Sequence, residues 1–264
     1  MIGGVKYEHG HRMIAEFLGL LTIVVAIWTW FVDKRRWMRV LTCGAVLGVI
    51  FQGVLGGLTV LKLLPPAIST AHAVVGQTMF CVLAAIAVFT GKSWLQEPIE
   101  RIVPQESRPL IRHLWTLLGF LYLQLILGAA FRHVWTKLGP VGAERWPAKK
   151  IIHMFLYPHI LNALIVAGLI IYVGMWVLTR YRKMPQLRRP AHLLTILLVL
   201  QLMLGFAAYI TRVVYGVNEL QPTFGLVATT VSHIGIGALI LAFTIILLIQ
   251  VYRHSAGADR VTTA

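Results

Sequence analysis

Carboxylates are scarce in this chain. Its 264 residues hold nine Asp and Glu against 24 Lys and Arg, with ten His besides. In a soluble protein a surplus of +15 would point to nucleic acid. Here only 12% of residues are charged and 58% are hydrophobic, and the basic side chains gather between apolar runs, so no nucleic-acid partner is expected. Cysteine is almost missing too. Cys43 and Cys81 both lie inside apolar runs and no C-x-x-C motif occurs, which excludes a thiolate metal site and gives no ground for a disulfide. With carboxylates and sulfur both rare, a copper or zinc centre is disfavoured. No cleavable leader is expected, because residues 1–10 are polar and the first apolar run is full length. The alternation of a membrane barrel, in stretches of about ten residues, is absent as well.

What is present is apolar length. Mean hydropathy is +0.78, and several runs exceed the ~18 residues that carry a helix across a bilayer. The chain reads as an all-α membrane protein with seven transmembrane helices, near residues 13–32, 40–61, 67–90, 113–131, 151–178, 191–210 and 224–252. Membrane lipid is its first partner. Polar stretches occupy 91–112 and 132–150, and Pro158 falls inside the fifth span. One set of loops carries 15 Lys and Arg and the other nine. The richer set marks the cytoplasmic face, which puts the C-terminus inside and residue 1 outside.

An internal repeat organises these spans. Gln52 and Gln201 open similar glycine-containing segments at an offset of 149 residues, His11 and His159 recur at 148, and His72 and His233 at 161. Spans one to three therefore match spans five to seven in the same direction, a parallel duplication. Span four should then have a counterpart before residue 1. The expected architecture is a tandem duplication of a four-helix bundle with its first helix missing. Residues 1–92 form the three-helix N-terminal half, 93–112 a cytoplasmic linker and 113–264 the C-terminal four-helix bundle.

Four histidines follow the repeat. His11, His72, His159 and His233 fall on the first and third helix of each unit, each near the outer end. Two helices offering one imidazole apiece at similar depth can clamp a metal macrocycle, and imidazole is a standard axial ligand of haem iron. The repeat thus predicts two bis-histidine haem sites. Gly53, Gly56 and Gly57 flank Gln52, and Gly44 and Gly48 form a G-x-x-x-G; both allow close helix approach, as plain packing or as site support. Arg12, Arg132, Lys149 and Lys150 are outer cations, suited to haem propionates or to solvated loops. His113, His192 and His254 lie near cytoplasmic ends and read as interface anchors. His9, His133 and His153 lie in or near outer loops.

The two units differ at one place. Glu8 precedes His11 by three residues, so both share a helix face, and Arg12 follows. The second unit has Leu156 and Ile160 at those positions. A carboxylate and a guanidinium beside one histidine and not the other predict one reactive site and one electron-transfer or structural site.

The sequence resembles the haem A synthase family over nearly its whole length. The resemblance is carried by Glu8-His9-Gly10-His11-Arg12, a Glu-x-x-His-Arg motif; by the segment from Gln52 to Val60 with Ala71-His72; and by the segment from Val227 to His233 with Gly237-Ala238-Leu239. It implies two four-helix bundles that oxidise haem O to haem A, turning a ring methyl into a formyl group. It also implies a haem b cofactor on His159 and His233, substrate haem at His11 and His72, and catalysis by Glu8. Gln52, Arg12 and Arg132 would support the sites. The family's first helix and following outer loop are missing apart from a remnant before Glu8. The outer-loop cysteine pair of some members is absent, and His159 lacks the arginine often found after it. The resemblance places the protein in a bacterial-type plasma membrane with its haem sites toward the outer face. It suggests a haem O synthase or terminal oxidase assembly factors as partners and leaves the electron acceptor open, with a homo-oligomer one option. The alternative on the same four histidines is a di-haem cytochrome b passing electrons between quinol and a partner. A transporter is a third reading, weakened because Pro158 has no counterpart near residue 10.

Overall fold

In lipid the backbone must satisfy its own hydrogen bonds, and long apolar runs do so as helices. The structure, a computed structural model, describes residues 3–97, 99–142, 146–215 and 223–255; of residues 3–8, 136–142 and 146–149 it describes the backbone alone. The helices are α1 (Gly3–Val32), α2 (Arg36–Leu61), α3 (Pro66–Thr90), the short α4 (Lys92–Gln96), α5 (Pro104–Gly142), α6 (Trp146–Arg180), α7 (Pro185–Tyr209) with a π-helical turn at Ile210–Val214, and α8 (Phe224–Ser255). Among the described residues seven helices are long and apolar enough to cross a membrane, and no strand occurs. This is an integral membrane protein. The helices outrun their apolar runs: α5 has 39 residues, about 58 Å at 1.5 Å per residue against a hydrocarbon core of about 30 Å. Hydropathy marks only the part that suits lipid, so polar 104–112 and 132–142 looked like loops.

The chain forms two compact units, Met1–Ala87 and Val88–Ala264. In the first, α1 packs on α2, with Gly19 against Val49. The α1–α2 turn is held by Arg35, which donates to Asp33 through its backbone N (2.9 Å) and guanidinium (2.6 Å), while Arg39 Nε donates to the Asp33 carbonyl. The Arg35 hydrogen bond holds the Asp33 carboxyl below its usual range. At the other end Leu63 and Leu64 both take positive φ, 55° and 57°, a conformation that side chains rarely accept. Pro65-Pro66 follows and starts α3 at once.

The second unit is a four-helix bundle in which α5 packs on α6, α6 on α7, α7 on α8 and α8 back on α5. Its seam follows three- and four-residue steps: Leu110, Leu114 and Leu117 on α5, Ile170, Val173 and Val177 on α6, Leu187 and Leu194 on α7, Leu247 and Val251 on α8, all fully buried. Every one of these lies in the same half of the bundle, where α5 and α7 begin and α6 and α8 end. The tight plug thus occupies one end, and His159 and His233 lie toward the other.

The plugged end is closed by polar contacts. Arg253 donates to the carbonyls of Ser93 (3.1 Å), Trp94 (2.8 Å) and Glu97 (3.1 Å) and stacks over the Trp94 ring. His254, expected as an interface anchor, is instead 1% exposed, with Nδ1 2.6 Å from the Glu100 carbonyl. The segment after α4 folds over the end of α8 and removes that imidazole from solvent. Arg180 pairs with Glu106, and burial raises the Tyr181 hydroxyl pKa. Replacing Leu117, which has no exposed surface, by Ala should cost about 2–5 kcal/mol; a thermal melt in detergent unchanged from the parent protein would show that the plug does not hold the bundle.

Candidate functional site

A histidine inside a membrane bundle is placed by its neighbours, because little water is there to orient it. In the second unit each of the two histidines lies against the helix that precedes its own. A Gln and a Gly four residues apart share one face of that helix: Gln124 and Gly128 on α5, Gln201 and Gly205 on α7. The His159 ring, on α6, fills the space that a side chain at Gly128 would need; a Cβ there would lie 2.7 Å from Cε1. The His233 ring, on α8, stands over Gly205 in the same way, at 3.1 Å. The amide of Gln124 reaches Nε2 of His159 at 3.3 Å, and that of Gln201 reaches Nε2 of His233 at 3.4 Å. Asn162, 4% exposed, holds Gln124 by donating to its Oε1 (2.6 Å) and to the Phe120 carbonyl (3.0 Å). This brings the His159 and His233 ring centroids to 6.4 Å, with planes at 75°.

The first unit repeats the construction. A Cβ on Gly56 of α2 would lie 3.1 Å from His72 Cε1 on α3. Gln52, one turn earlier on α2, donates to the His72 carbonyl at 2.8 Å. Gly76, one turn after His72, makes room for Gln52, since a Cβ there would lie 2.7 Å from its amide nitrogen; Gly237 does the same for Gln201 at 3.2 Å. The His72 and His233 contacts are therefore reciprocal, with glutamine over one glycine and histidine over the other, whereas Ala163 stands one turn after His159. His11, exposed on α1, faces His72 with centroids 6.5 Å apart and planes at 87°.

Both pairs fit a metal between them. Two imidazoles ligating one ion from opposite sides, with bonds of about 2 Å, hold their centroids about 6 Å apart. Nδ1 of His72, His159 and His233 is buried with no hydrogen-bond partner. Among the described residues no group of three or more His, Cys, Asp or Glu is placed to hold a bare ion. Two imidazoles per unit suit an iron macrocycle that brings its own in-plane donors.

The expected site residues land as follows. His11 and His72 come together, as do His159 and His233, and Gln52 braces His72. Arg12 is exposed beside His11 on α1, and Arg132 lies one turn beyond Gly128 on α5. Lys150 is exposed at the start of α6. The side chains of Glu8 and Lys149 lie outside the described residues. Their second-unit counterparts to Glu8 and Arg12, Leu156 and Ile160, are a core residue and an exposed one. Sequence reading passed over Gln124, Gly128 and Asn162. The signal was there: Leu123-Gln-Leu-Ile-Leu-Gly128 matches Leu200-Gln-Leu-Met-Leu-Gly205.

The family described as cytochrome oxidase assembly protein matches residues 5–231. The chain belongs to the haem A synthase family. The match takes in His11, His72 and His159 and ends just short of His233. The chain is similar to proteins named Heme A synthase from three bacteria. It is 26% identical to that of Alkalihalophilus pseudofirmus over 223 residues, 78% of this chain and 70% of the relative. It is 29% identical to that of Symbiobacterium thermophilum over 147 residues, 53% and 46%. It is 26% identical to that of Halalkalibacterium halodurans over 231 residues, 81% and 71%. The cradle makes a sharp contrast within one helix of this family member. Gly128→Ala should displace His159 and weaken uptake of ferric protohaem at that pair by at least about tenfold, the scale of about 1.4 kcal/mol. Gly119→Ala, with nothing within 4 Å of the new Cβ, should leave uptake unchanged. Absorbance titration of both purified variants decides it; equal curves would dismiss the cradle.

Proposed function

We propose that this chain acts in haem A biosynthesis, oxidising a ring methyl of haem O to the formyl group of haem A. The observation that carries this reading is a contrast. Two imidazole pairs of nearly equal separation, 6.5 and 6.4 Å, stand in different chemical company. One has Glu8 and Arg12 on the helix of its first histidine; the other has Leu156 and Ile160. The names of the relatives support the same assignment.

In this reading His159 and His233 hold haem b, which supplies a path for electrons when bound. His11 and His72 position the substrate haem. Glu8, one helical turn from His11 on the same face, accepts protons as the methyl carbon is oxidised, or steadies positive charge beside it. Arg12 orients the carboxylate edge of the substrate. Gln52 keeps His72 in place through its main chain, and the glutamines of the second unit and Asn162 keep the cofactor ligands in fixed rotamers. The histidine ends face outward in a bacterial-type plasma membrane, a reading supported by the 15-to-nine bias of Lys and Arg between the two loop sets. The substrate donor is a haem O synthase or an assembly factor of the terminal oxidase.

The test is expression with a haem O supply in a host that makes no haem A of its own. Extracted pigments should contain haem A with the parent chain and none with Glu8→Gln, while the variant keeps the absorption spectrum of a bis-histidine haem. Haem A from Glu8→Gln at the parent level would remove Glu8 from catalysis. A parent chain that binds haem but forms no haem A would favour the di-haem electron carrier.

A further inference from the structure

A side-chain amide has one end that donates and one that accepts, so its effect on a neighbouring imidazole depends on what fixes those ends. In the second unit a chain of amides starts from a group with no choice. The Phe120 carbonyl can only accept a hydrogen bond, and Asn162 turns its amide nitrogen to it at 3.0 Å. The same nitrogen has a second hydrogen and lies 2.6 Å from the end of Gln124, which must then be the oxygen. Gln124, one turn after Phe120 on α5, is left with its own nitrogen toward His159, 3.3 Å from Nε2. An amide nitrogen only donates, so Nε2 is the ring nitrogen that accepts, and the proton of the neutral ring lies on Nδ1. Nδ1 is buried with no hydrogen-bond partner. Gln124 therefore selects between the two forms of the ring.

The other member of the pair has no such chain behind it. Gln201 reaches His233 Nε2 at 3.4 Å, but Gln201 Oε1 is buried with no hydrogen-bond partner. Nothing ties the far end of that amide, and either end can face the ring. Ile236 stands three residues after His233, and the same step from His11 and His72 gives Ile14 and Val75. Asn162 is the one amide among these four positions. An amide is costly to bury in a membrane protein unless its groups are bonded. Asn162 is 4% exposed and uses its amide nitrogen on Phe120 and Gln124 together.

We propose that Asn162 is a positioning residue that, through Gln124, keeps the proton of His159 off Nε2, so that this tip nitrogen offers its lone pair to a metal. The loading role rests on the haem reading of the His159–His233 pair; the placing of the proton does not. A ligand imidazole must offer a lone pair, and Nε2 is the ring nitrogen that reaches furthest from the helix. The opposite amide orientation would set Oε1 against the ring and draw the proton onto Nε2, where it blocks ligation until it moves. The Gln124 hydrogen bond holds Nε2 in its ligating form while the site is empty and yields when a metal arrives. His159 is preset in this way, and His233 is not.

The experiment uses the full chain in lipid bilayers, free of haem, in a His11→Ala/His72→Ala background so that the second pair alone is read. The pH is alkaline, where imidazoles are neutral. Solid-state nitrogen NMR on isotope-labelled histidine tells a protonated ring nitrogen from a bare one, and His159→Ala identifies the His159 signals. In the background protein the form with its proton on Nδ1 should exceed the other by at least about tenfold, the scale of one hydrogen bond. Asn162→Leu should cut that excess by at least about threefold with the His233 signals unchanged. Gln124→Met, of similar size, should do the same. Lost packing alone does not move a proton between the two nitrogens of one ring. A proton on Nε2 of His159 in the background protein overturns the proposal with no further variant needed, and so does an unchanged excess in Asn162→Leu. Ferric protohaem is then added to the same samples. A background protein with its proton on Nδ1 and no bis-histidine haem spectrum defeats the haem reading, and the loading role with it, while the amide chain stands.

Discussion

The contact on which this fold depends is that of an imidazole with a glycine on the neighbouring helix. Apolar side chains gain little by leaving lipid for one another, so membrane helices associate through close packing and polar contacts. His72 on Gly56, His159 on Gly128 and His233 on Gly205 do both at once. The missing Cβ brings the helices near, and the ring fills the gap. The glutamine one turn before each glycine completes the contact, bonding the ring in two cases and the main chain in the third. Fixing the helices and aiming the ligands are therefore one event.

That coupling explains the division of labour inside the second unit. Its fully buried Leu, Ile and Val side chains gather at one end, sealed by Arg253, His254 and the 93–102 segment. The opposite end combines buried Trp135, Ile152 and Leu156 with the glycines, glutamines, histidines and asparagine of the site. A dense apolar plug supplies rigidity, and the polar end, held by specific contacts, keeps a slot whose width suits a ligated metal. A bundle packed with leucine throughout would be firmer and would have no slot.

The halves share this construction and part company in chemistry. Gln124 and Gln201 touch the imidazoles of the second pair, whereas Gln52 touches a carbonyl and leaves the His72 ring to its partner. Asn162 adds a brace in the second unit; at its repeat position, three residues after His11, the first unit has Ile14.

Much of this was written in the sequence. Seven apolar runs determined seven helices, because lipid permits little else. The offsets between His11 and His159 and between Gln52 and Gln201 exposed the repeat and grouped the histidines in the two pairs whose rings lie 6.5 and 6.4 Å apart. The contrast of Glu8 and Arg12 with Leu156 and Ile160 was legible once the repeat aligned His11 with His159. Hydropathy could not show that α5 runs from Pro104 to Gly142, since helix continues where lipid stops. Nor could it show that His254 is buried, because the segment that covers it is distant in sequence. Only the tertiary structure decided which glycines face imidazoles, that Asn162 anchors Gln124, and that Arg212 meets Thr230. Periodicity names the face of a helix, but the neighbour across that face is set by how the helices pack.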